Sequence, residues 1–186
     1  MTQQNHHFNK TNFTSEQLAE QYDGCTFTDC NFENVKLSNI TFIECEFENC
    51  NLSNAKINVA SFKDVTFNGC KLMGVNFNDC NPFLLDFTFN DCDLTLSSFY
   101  QLEIKNSTFN RCNLREVDFT ETDLNGSTFH HCDLTHAIFD QSKLEKTDFT
   151  TAENFSINPE SNRIKKAKFS RENVSGLLEH LDINIL

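Results

Sequence analysis

The sequence is poor in tryptophan, tyrosine, proline and glycine. Its 186 residues include no Trp, two Tyr, two Pro and five Gly. Five Gly are too few for a glycine-rich phosphate-binding loop together with the turns of an ordinary α/β enzyme. Long apolar runs are also missing, since the longest, at 82–85, falls far short of the roughly 20 residues of a membrane-spanning helix. The composition therefore argues against a nucleotide-binding enzyme and against a membrane protein.

Phenylalanine is abundant, with 20 copies, and its spacing is the main signal in the chain. A large apolar residue recurs at every fifth position from Tyr22 to Phe77 and again from Leu84 to Phe149. A period of five fits neither an amphipathic helix nor a long flat strand, whose periods are about 3.6 and 2 residues. Two residues before each large residue stands a second, mostly small one. Because residues two apart on an extended backbone share a face, each unit is predicted to bury one large and one small side chain and then turn.

The repeat is interrupted twice. Phe8, Phe13 and Leu18 run one residue out of step with the rest, which places a slip near residues 19–21. A second slip, of two residues, falls at 81–83, where Pro82 removes a backbone donor. This second slip is compatible with a kink or with a small loop.

The repeating units CTFTD, CNFEN, CEFEN, CDLTL, VDFTE and TDLNG resemble the pentapeptide-repeat family, and the resemblance covers almost the whole chain. It implies an all-β solenoid, a right-handed quadrilateral β-helix with four pentapeptides per coil, here over residues 1–170. Residues 20 apart then stack in neighbouring coils about 4.8 Å apart. One predicted core column contains Phe89, Phe109, Phe129, Phe149 and Phe169.

All nine Cys fall on the small inward position of a unit. Their number is odd, and no CxxC pair is present, so disulfides and a metal site are both disfavoured. A buried free Cys packs as a small apolar residue. The cysteines are therefore predicted to be reduced core residues. Together with a start that lacks the apolar segment of a secretory signal, this usage favours the cytoplasm.

Residues 171–186 leave the five-residue pattern. Ser170 is predicted to cap a helix from Arg171 to about His180, followed by a short strand. The apolar residues have helical spacing and then alternate, which predicts either a cap on the open end of the solenoid or a dimer interface. The tail from Ile164 resembles the end of the gyrase-protecting subgroup, which includes the Qnr quinolone-resistance proteins and the microcin B immunity protein. That resemblance implies a homodimer joined through the C-terminal module, with interface residues Val174, Leu177, Leu178, Leu181, Ile183 and Ile185.

The net charge of −12 is unevenly distributed. Residues 1–160 contain 10 Lys and Arg against 24 Asp and Glu, a net charge of −14, whereas residues 161–186 have a net charge of +2. Along the solenoid this is roughly one charge per 2–3 Å, compared with one per about 1.7 Å in duplex DNA. Acidic residues also flank or stack near predicted corners. The candidate partner-binding residues are Glu103, Glu116, Asp118, Glu121, Asp123 and Asp133.

Two interpretations of this acidity stay open. The acidic groups could keep the solenoid soluble and protect its edges from aggregation. The resemblance to the gyrase-protecting subgroup implies instead that the rod mimics DNA and binds DNA gyrase or topoisomerase IV. It would then protect the enzyme from a poison such as a quinolone or a microcin. A general protein-interaction scaffold with a partner other than a topoisomerase is the alternative.

Motifs for catalysis and metal binding are missing. The sequence contains no GxxxxGK[ST], GxGxxG, HExxH or GxSxG motif. His130, His131 and His136 fall on outward positions and do not form a recognisable metal-binding pattern. We therefore expect a non-enzymatic protein without catalytic residues, metal ligands or a cofactor, and without direct binding of nucleic acid or membrane.

Overall fold

Each five-residue unit consists of an extended segment and a corner in the computed structural model, which describes residues 1–181, 183 and 184. The corner residue, two positions after the large apolar one, has a positive φ angle, 60° at Gly24, 52° at Asp29 and 57° at Asn34. Gly, Asn and Asp adopt this left-handed conformation more readily than other residues. The five-residue period therefore follows from a left-handed corner that is repeated along the chain.

The extended segments include eleven short strands. They are Thr2–Gln4 (β1), His7–Asn9 (β2), Gln21–Asp23 (β3), Thr26–Thr28 (β4), Thr41–Ile43 (β5), Glu46–Glu48 (β6), Ser61–Lys63 (β7), Val65–Asn68 (β8), Phe87–Asn90 (β9), Thr108–Asn110 (β10) and Thr128–His130 (β11). These strands form two parallel sheets, one in the order β1-β3-β5-β7 and the other in the order β2-β4-β6-β8-β9-β10-β11.

Two further sides of the solenoid are held by isolated parallel bridges. The side through Asn76, Ser98, Asp118 and Ile138 is called the Asp118 side below.

The strand register confirms the predicted solenoid and both slips. Phe109 pairs with Phe129, one coil of four units later. The first coil is one residue shorter, because Phe8 pairs with Phe27. The coil that contains the second slip is two residues longer, because Phe67 of β8 pairs with Phe89 of β9.

The predicted column of phenylalanine rings is confirmed and extends further than expected. Successive rings lie with their centroids 4.6–5.4 Å apart and their planes within 19° of each other. Offset stacking at this separation is favourable beyond the burial of apolar area. The column contains Phe8, Phe27, Phe47, Phe67, Phe89, Phe109, Phe129, Phe149 and Phe169.

The second slip is a small outward loop. Phe83 and Leu84 are 64% and 62% exposed, so the prediction that the inward series resumes at Leu84 is wrong. Phe87 is buried instead, and its ring centroid lies 5.6 Å from that of Phe62 and 5.3 Å from that of Phe77. Phe87 pairs with Val65 of β8, so a large ring holds a position that a small residue holds in the coil before, and Leu85 packs partly against the same core.

The nine cysteines are all buried and free, as predicted. Eight of the thiols, all except that of Cys80, donate to a carbonyl of the preceding coil; for example, Cys112 Sγ donates to the Phe89 carbonyl at 3.4 Å. Ser142 Oγ donates to the Phe119 carbonyl in the same way, at 2.7 Å. Small side chains with a donor therefore suit this position. Burial raises the pKa of the Cys80 thiol to about 12, which keeps it protonated and unreactive at neutral pH.

The predicted helix from Arg171 to His180 is wrong. Short 3-10 helices span Val174–Leu177 and Glu179–Leu181 instead. The predicted capping role of Ser170 is wrong as well, because the first 3-10 helix has Asn173 at its N-cap and no side-chain cap bond. Ser170 Oγ accepts the Asn173 N–H at 3.2 Å within the preceding turn instead. Of the predicted strand, Ile183 is not in a strand and Ile185 lies outside the described residues.

Contacts with the last coil explain this conformation. Asn173 Nδ2 donates to the carbonyls of Phe149 and Ala152, at 2.7 and 2.9 Å. Gly176 is buried against Phe155, and its carbonyl accepts the Ile157 N–H at 3.0 Å. These contacts outweigh the weak helix propensity of a short segment that contains glycine. The segment thus covers part of the end of the solenoid.

Candidate partner-binding surface

Two of the predicted acidic residues belong to a neutralised cluster. Asp123 is only 5% exposed, which corrects the prediction that it lies on an open acidic surface. Its Oδ2 lies 3.1 Å from Lys143 Nζ and 3.6 Å from Lys105 Nζ. Lys105 also bonds to Glu103 at 2.5 Å. Two carboxylates and two ammonium groups therefore offset each other in this cluster.

Asp133 is also partly compensated. Its carboxylate lies 3.4 Å from Arg115 Nη1 and accepts hydrogen bonds from Thr135 and Asn154, at 2.6 and 2.9 Å. Burial alone would raise the pKa of the Asp133 carboxyl group, but these hydrogen bonds lower it below its ordinary value. The group is held in place by its own coil and its neighbours.

The other predicted acidic residues, Glu116, Asp118 and Glu121, lie on the Asp118 side or at its corners. Asp140 lies on the same side, next to Glu121, and was not among the predicted residues. It follows Phe139 in the repeat position that Thr120 has after Phe119. Within residues 1–181, 183 and 184, none of these four carboxylates lies within 4.0 Å of a cationic group. Their charge is therefore available to a partner.

Short hydrogen bonds hold this surface in place. Asp118 Oδ1 accepts the Thr120 N–H at 2.8 Å, and Glu121 accepts from Gln101 Nε2 at 2.8 Å. Beneath them, the rings of Phe99, Phe119 and Phe139 stack at 5.3 and 5.1 Å. The carboxylates are thus carried on a packed core.

Three large apolar side chains lie among these carboxylates. Leu96 is 57% exposed, Ile138 is 52% exposed and Tyr100 is 37% exposed. Ile138 is bridged to Asp118 in the adjacent coil, and Tyr100 Oη lies 3.5 Å from a carboxylate oxygen of Glu121. These residues were not among the predicted site residues, although each is a large apolar residue at an outward position of a five-residue unit. We call this surface the Asp118 patch, and it comprises Leu96, Tyr100, Glu116, Asp118, Glu121, Ile138 and Asp140.

The predicted dimer residues do not share one face. Leu177 is half-buried and packs against the core of its own chain. The exposed apolar side chains are Val174, Leu178, Leu181 and Ile183. Ile185 lies outside the described residues. Dimerisation through this segment stays a prediction.

The histidines lie away from the Asp118 patch or at its rim. His130 Nδ1 is 3.1 Å from Thr151 Oγ1, and its ring centroid is 4.3 Å from that of His131. His136 occupies a corner next to Glu116 in the stack. In the part of the chain that the structure describes, no three His, Cys, Asp or Glu residues are grouped to hold a metal ion. The same part contains no helix long and apolar enough to span a membrane.

The architecture defines a class of protein: a parallel β-solenoid of stacked five-residue units. A family profile described as "Pentapeptide repeat region" matches residues 21–81, 40–119 and 83–177. The chain therefore belongs to the pentapeptide-repeat family. No curated protein matches it.

Solved structures share the fold at low sequence identity. Full-length QnrB1, a plasmid-mediated fluoroquinolone resistance protein, is similar with a TM-score of 0.58 and 14% identity, over 98% of this chain and 100% of that chain. A trypsin-treated variant of QnrB1 has a TM-score of 0.50 and 18% identity, over 100% of each chain. At these identities the similarity concerns the fold alone.

Proposed function

We propose that this protein is a non-enzymatic DNA mimic that binds DNA gyrase or topoisomerase IV and protects it from a poison such as a quinolone or a microcin. The observation that carries the proposal is the Asp118 side, where Glu116, Asp118, Glu121 and Asp140 lie more than 4.0 Å from every cationic group among the residues that the structure describes. These carboxylates offer a partner negative charge that no neighbouring described residue offsets.

The spacing of this charge supports mimicry. Coils repeat at about 4.8 Å, and residues 1–160 have a net charge of −14. The solenoid therefore has a negative charge per unit length that is comparable to that of duplex DNA. A groove that binds DNA phosphates through Lys and Arg could bind it in the same way. We choose a type II topoisomerase as the partner because the protein shares its fold with a fluoroquinolone resistance protein.

The mechanism follows from competition. The rod occupies the groove that otherwise binds DNA, so fewer enzyme molecules hold the DNA complex on which a poison acts. Two copies joined at their C-terminal ends would present a longer acidic rod. The buried free thiols suit a reducing cytoplasm, where such an enzyme acts.

Binding of the full chain to purified gyrase and to topoisomerase IV tests the proposal. We expect binding that weakens steeply as salt is raised and that is displaced by duplex DNA. A variant with Glu116→Lys, Glu121→Lys and Asp140→Lys should lose this binding. A control with the same charge change elsewhere, Glu33→Lys, Glu44→Lys and Asp64→Lys, should retain most of it. Equal loss in both variants would contradict a role for the Asp118 side.

A further inference from the structure

The Asp118 patch carries apolar groups that a purely electrostatic mimic of DNA does not need. Resting on the proposed function above, we infer that Leu96, Tyr100 and Ile138 anchor the rod in a protein surface that is basic and has an apolar recess. The three side chains supply contact area, and the carboxylates around them supply orientation and charge complementarity.

The exposure of these side chains is the first argument. Mean hydropathy is −0.46, and outward positions in the same columns are small or polar: Gly74 and Glu116 in the column of Leu96, and Asp118 in that of Ile138. Clustered exposed apolar groups with a polar rim mark interaction sites on soluble proteins. Leu96 and Ile138 are each more than half exposed.

The backbone at Leu96 is the second argument. Its φ angle is 61°, in the left-handed region that a leucine adopts only at an energetic cost. One coil earlier, Gly74 holds the equivalent corner at a φ of 65° without that cost. Leu96 thus combines an unfavourable conformation with an exposed apolar side chain. Val59 and Leu84 have the same combination outside the patch, so the backbone at Leu96 supports the inference through its position beside Glu116 and Asp118.

The arrangement fits a protein partner better than a nucleic acid. Tyr100 and Ile138 lie two coils apart on one side, with Asp118 in the coil between them. Aromatic and aliphatic groups enclosed by polar groups are the usual anatomy of a protein interface. The carboxylates Glu116, Glu121 and Asp140 surround them and require a basic surface opposite. Repulsion from phosphates excludes a nucleic acid in this position.

Substitutions that suit the fold test the inference. Leu96→Asn places a favourable residue at a left-handed corner, and Tyr100→Asn and Ile138→Thr introduce polar residues at outward positions. The matched control is Val59→Asn, because Val59 is also a left-handed corner residue, with a φ of 60° and 60% exposure, outside the patch. Affinity for gyrase and topoisomerase IV is measured at several salt concentrations, and thermal unfolding checks the fold.

We expect the triple variant to bind at least about tenfold more weakly, with unchanged or higher thermal stability, whereas Val59→Asn binds like the unsubstituted protein. The slope of affinity against salt should be unchanged in the triple variant, because no charge is removed, and should fall in the charge-reversed variant. If the triple variant binds within twofold of the unsubstituted protein, the anchor assignment is overturned and the proposed function stands. If the unsubstituted protein binds neither enzyme, both are overturned.

Discussion

The rings of Phe109 and Phe129 lie face to face, with their centroids 4.9 Å apart and their planes 2° apart. Each ring is fully buried and also stacks on a further ring on its other side. In a solenoid, a coil buries its core only against its neighbours, so stability depends on such contacts between adjacent coils. Through the column, the stability of each coil depends on the coils next to it along the rod.

Removing one ring from the middle of the column should destabilise the protein strongly. Phe129→Ala is expected to lower the free energy of unfolding by about 3–5 kcal/mol, because transfer energy is lost and a cavity forms. The measurement is chemical denaturation. Phe83→Ala is the control, since Phe83 is 64% exposed and its removal should cost less than about 0.5 kcal/mol. A loss below 1 kcal/mol for Phe129→Ala would argue against the stacked column.

Ser97 should tolerate the loss of its hydroxyl group. Its Oγ is buried and finds no hydrogen-bond partner among the described residues, and Val75 and Val117 are its column neighbours. Ser97→Ala should therefore leave stability unchanged or raise it by about 1 kcal/mol. Ser142→Ala should lower stability by a similar amount, because Ser142 bonds to the Phe119 carbonyl. Equal effects of the two substitutions in thermal unfolding would contradict this assignment.

Gly176 should be needed to dock the C-terminal segment. A Cβ atom at this position would overlap the carbonyl oxygen and the ring of Phe155. Gly176→Ala is therefore expected to release residues 170–181 from the last coil, seen as faster amide hydrogen exchange there. Ser175→Ala, at an exposed neighbour, is the control. Unchanged exchange in Gly176→Ala would show that the segment accommodates a side chain without moving.

The exposed apolar residues of the same segment should mediate dimerisation. Leu178→Asp with Leu181→Asp is expected to yield a monomer in light scattering, because both side chains are exposed, at 38% and 51%. The effect on dimer mass should come without loss of the fold. Leu177 is unsuitable for this test, since it packs against its own core. A dimer mass retained by the double variant would exclude this interface.

The repeat pattern predicted those parts of the fold that depend only on the recurrence of a large apolar residue at every fifth position. The period of five gives the inward series. The coil of four units, from which the column from Phe89 to Phe169 follows, is what the resemblance to the pentapeptide-repeat family implies. The outward loop could not be predicted in detail. Leu84 and Leu85 are both apolar neighbours, and only the path of the folded chain decides that Leu84 is exposed while Leu85 packs partly against the core.

The site was less predictable, because it depends on contacts between coils. Sequence spacing placed Glu103 beside Asp123, but it did not show that Lys105 and Lys143 neutralise them. The prediction of a C-terminal helix was wrong for a similar reason. The hydrogen bonds that the Asn173 side chain donates and the close contact of Gly176 with Phe155 stabilise short 3-10 helices, although the apolar residues have helical spacing.

A gyrase supercoiling assay with the full-length protein, in the presence and absence of a quinolone or microcin B, tests the central claim most directly. The account predicts that the protein competes with DNA for the enzyme and reduces the effect of the poison, and that the charge-reversed Asp118 side abolishes both effects without unfolding the chain. No effect of the unsubstituted protein at micromolar concentration would contradict it.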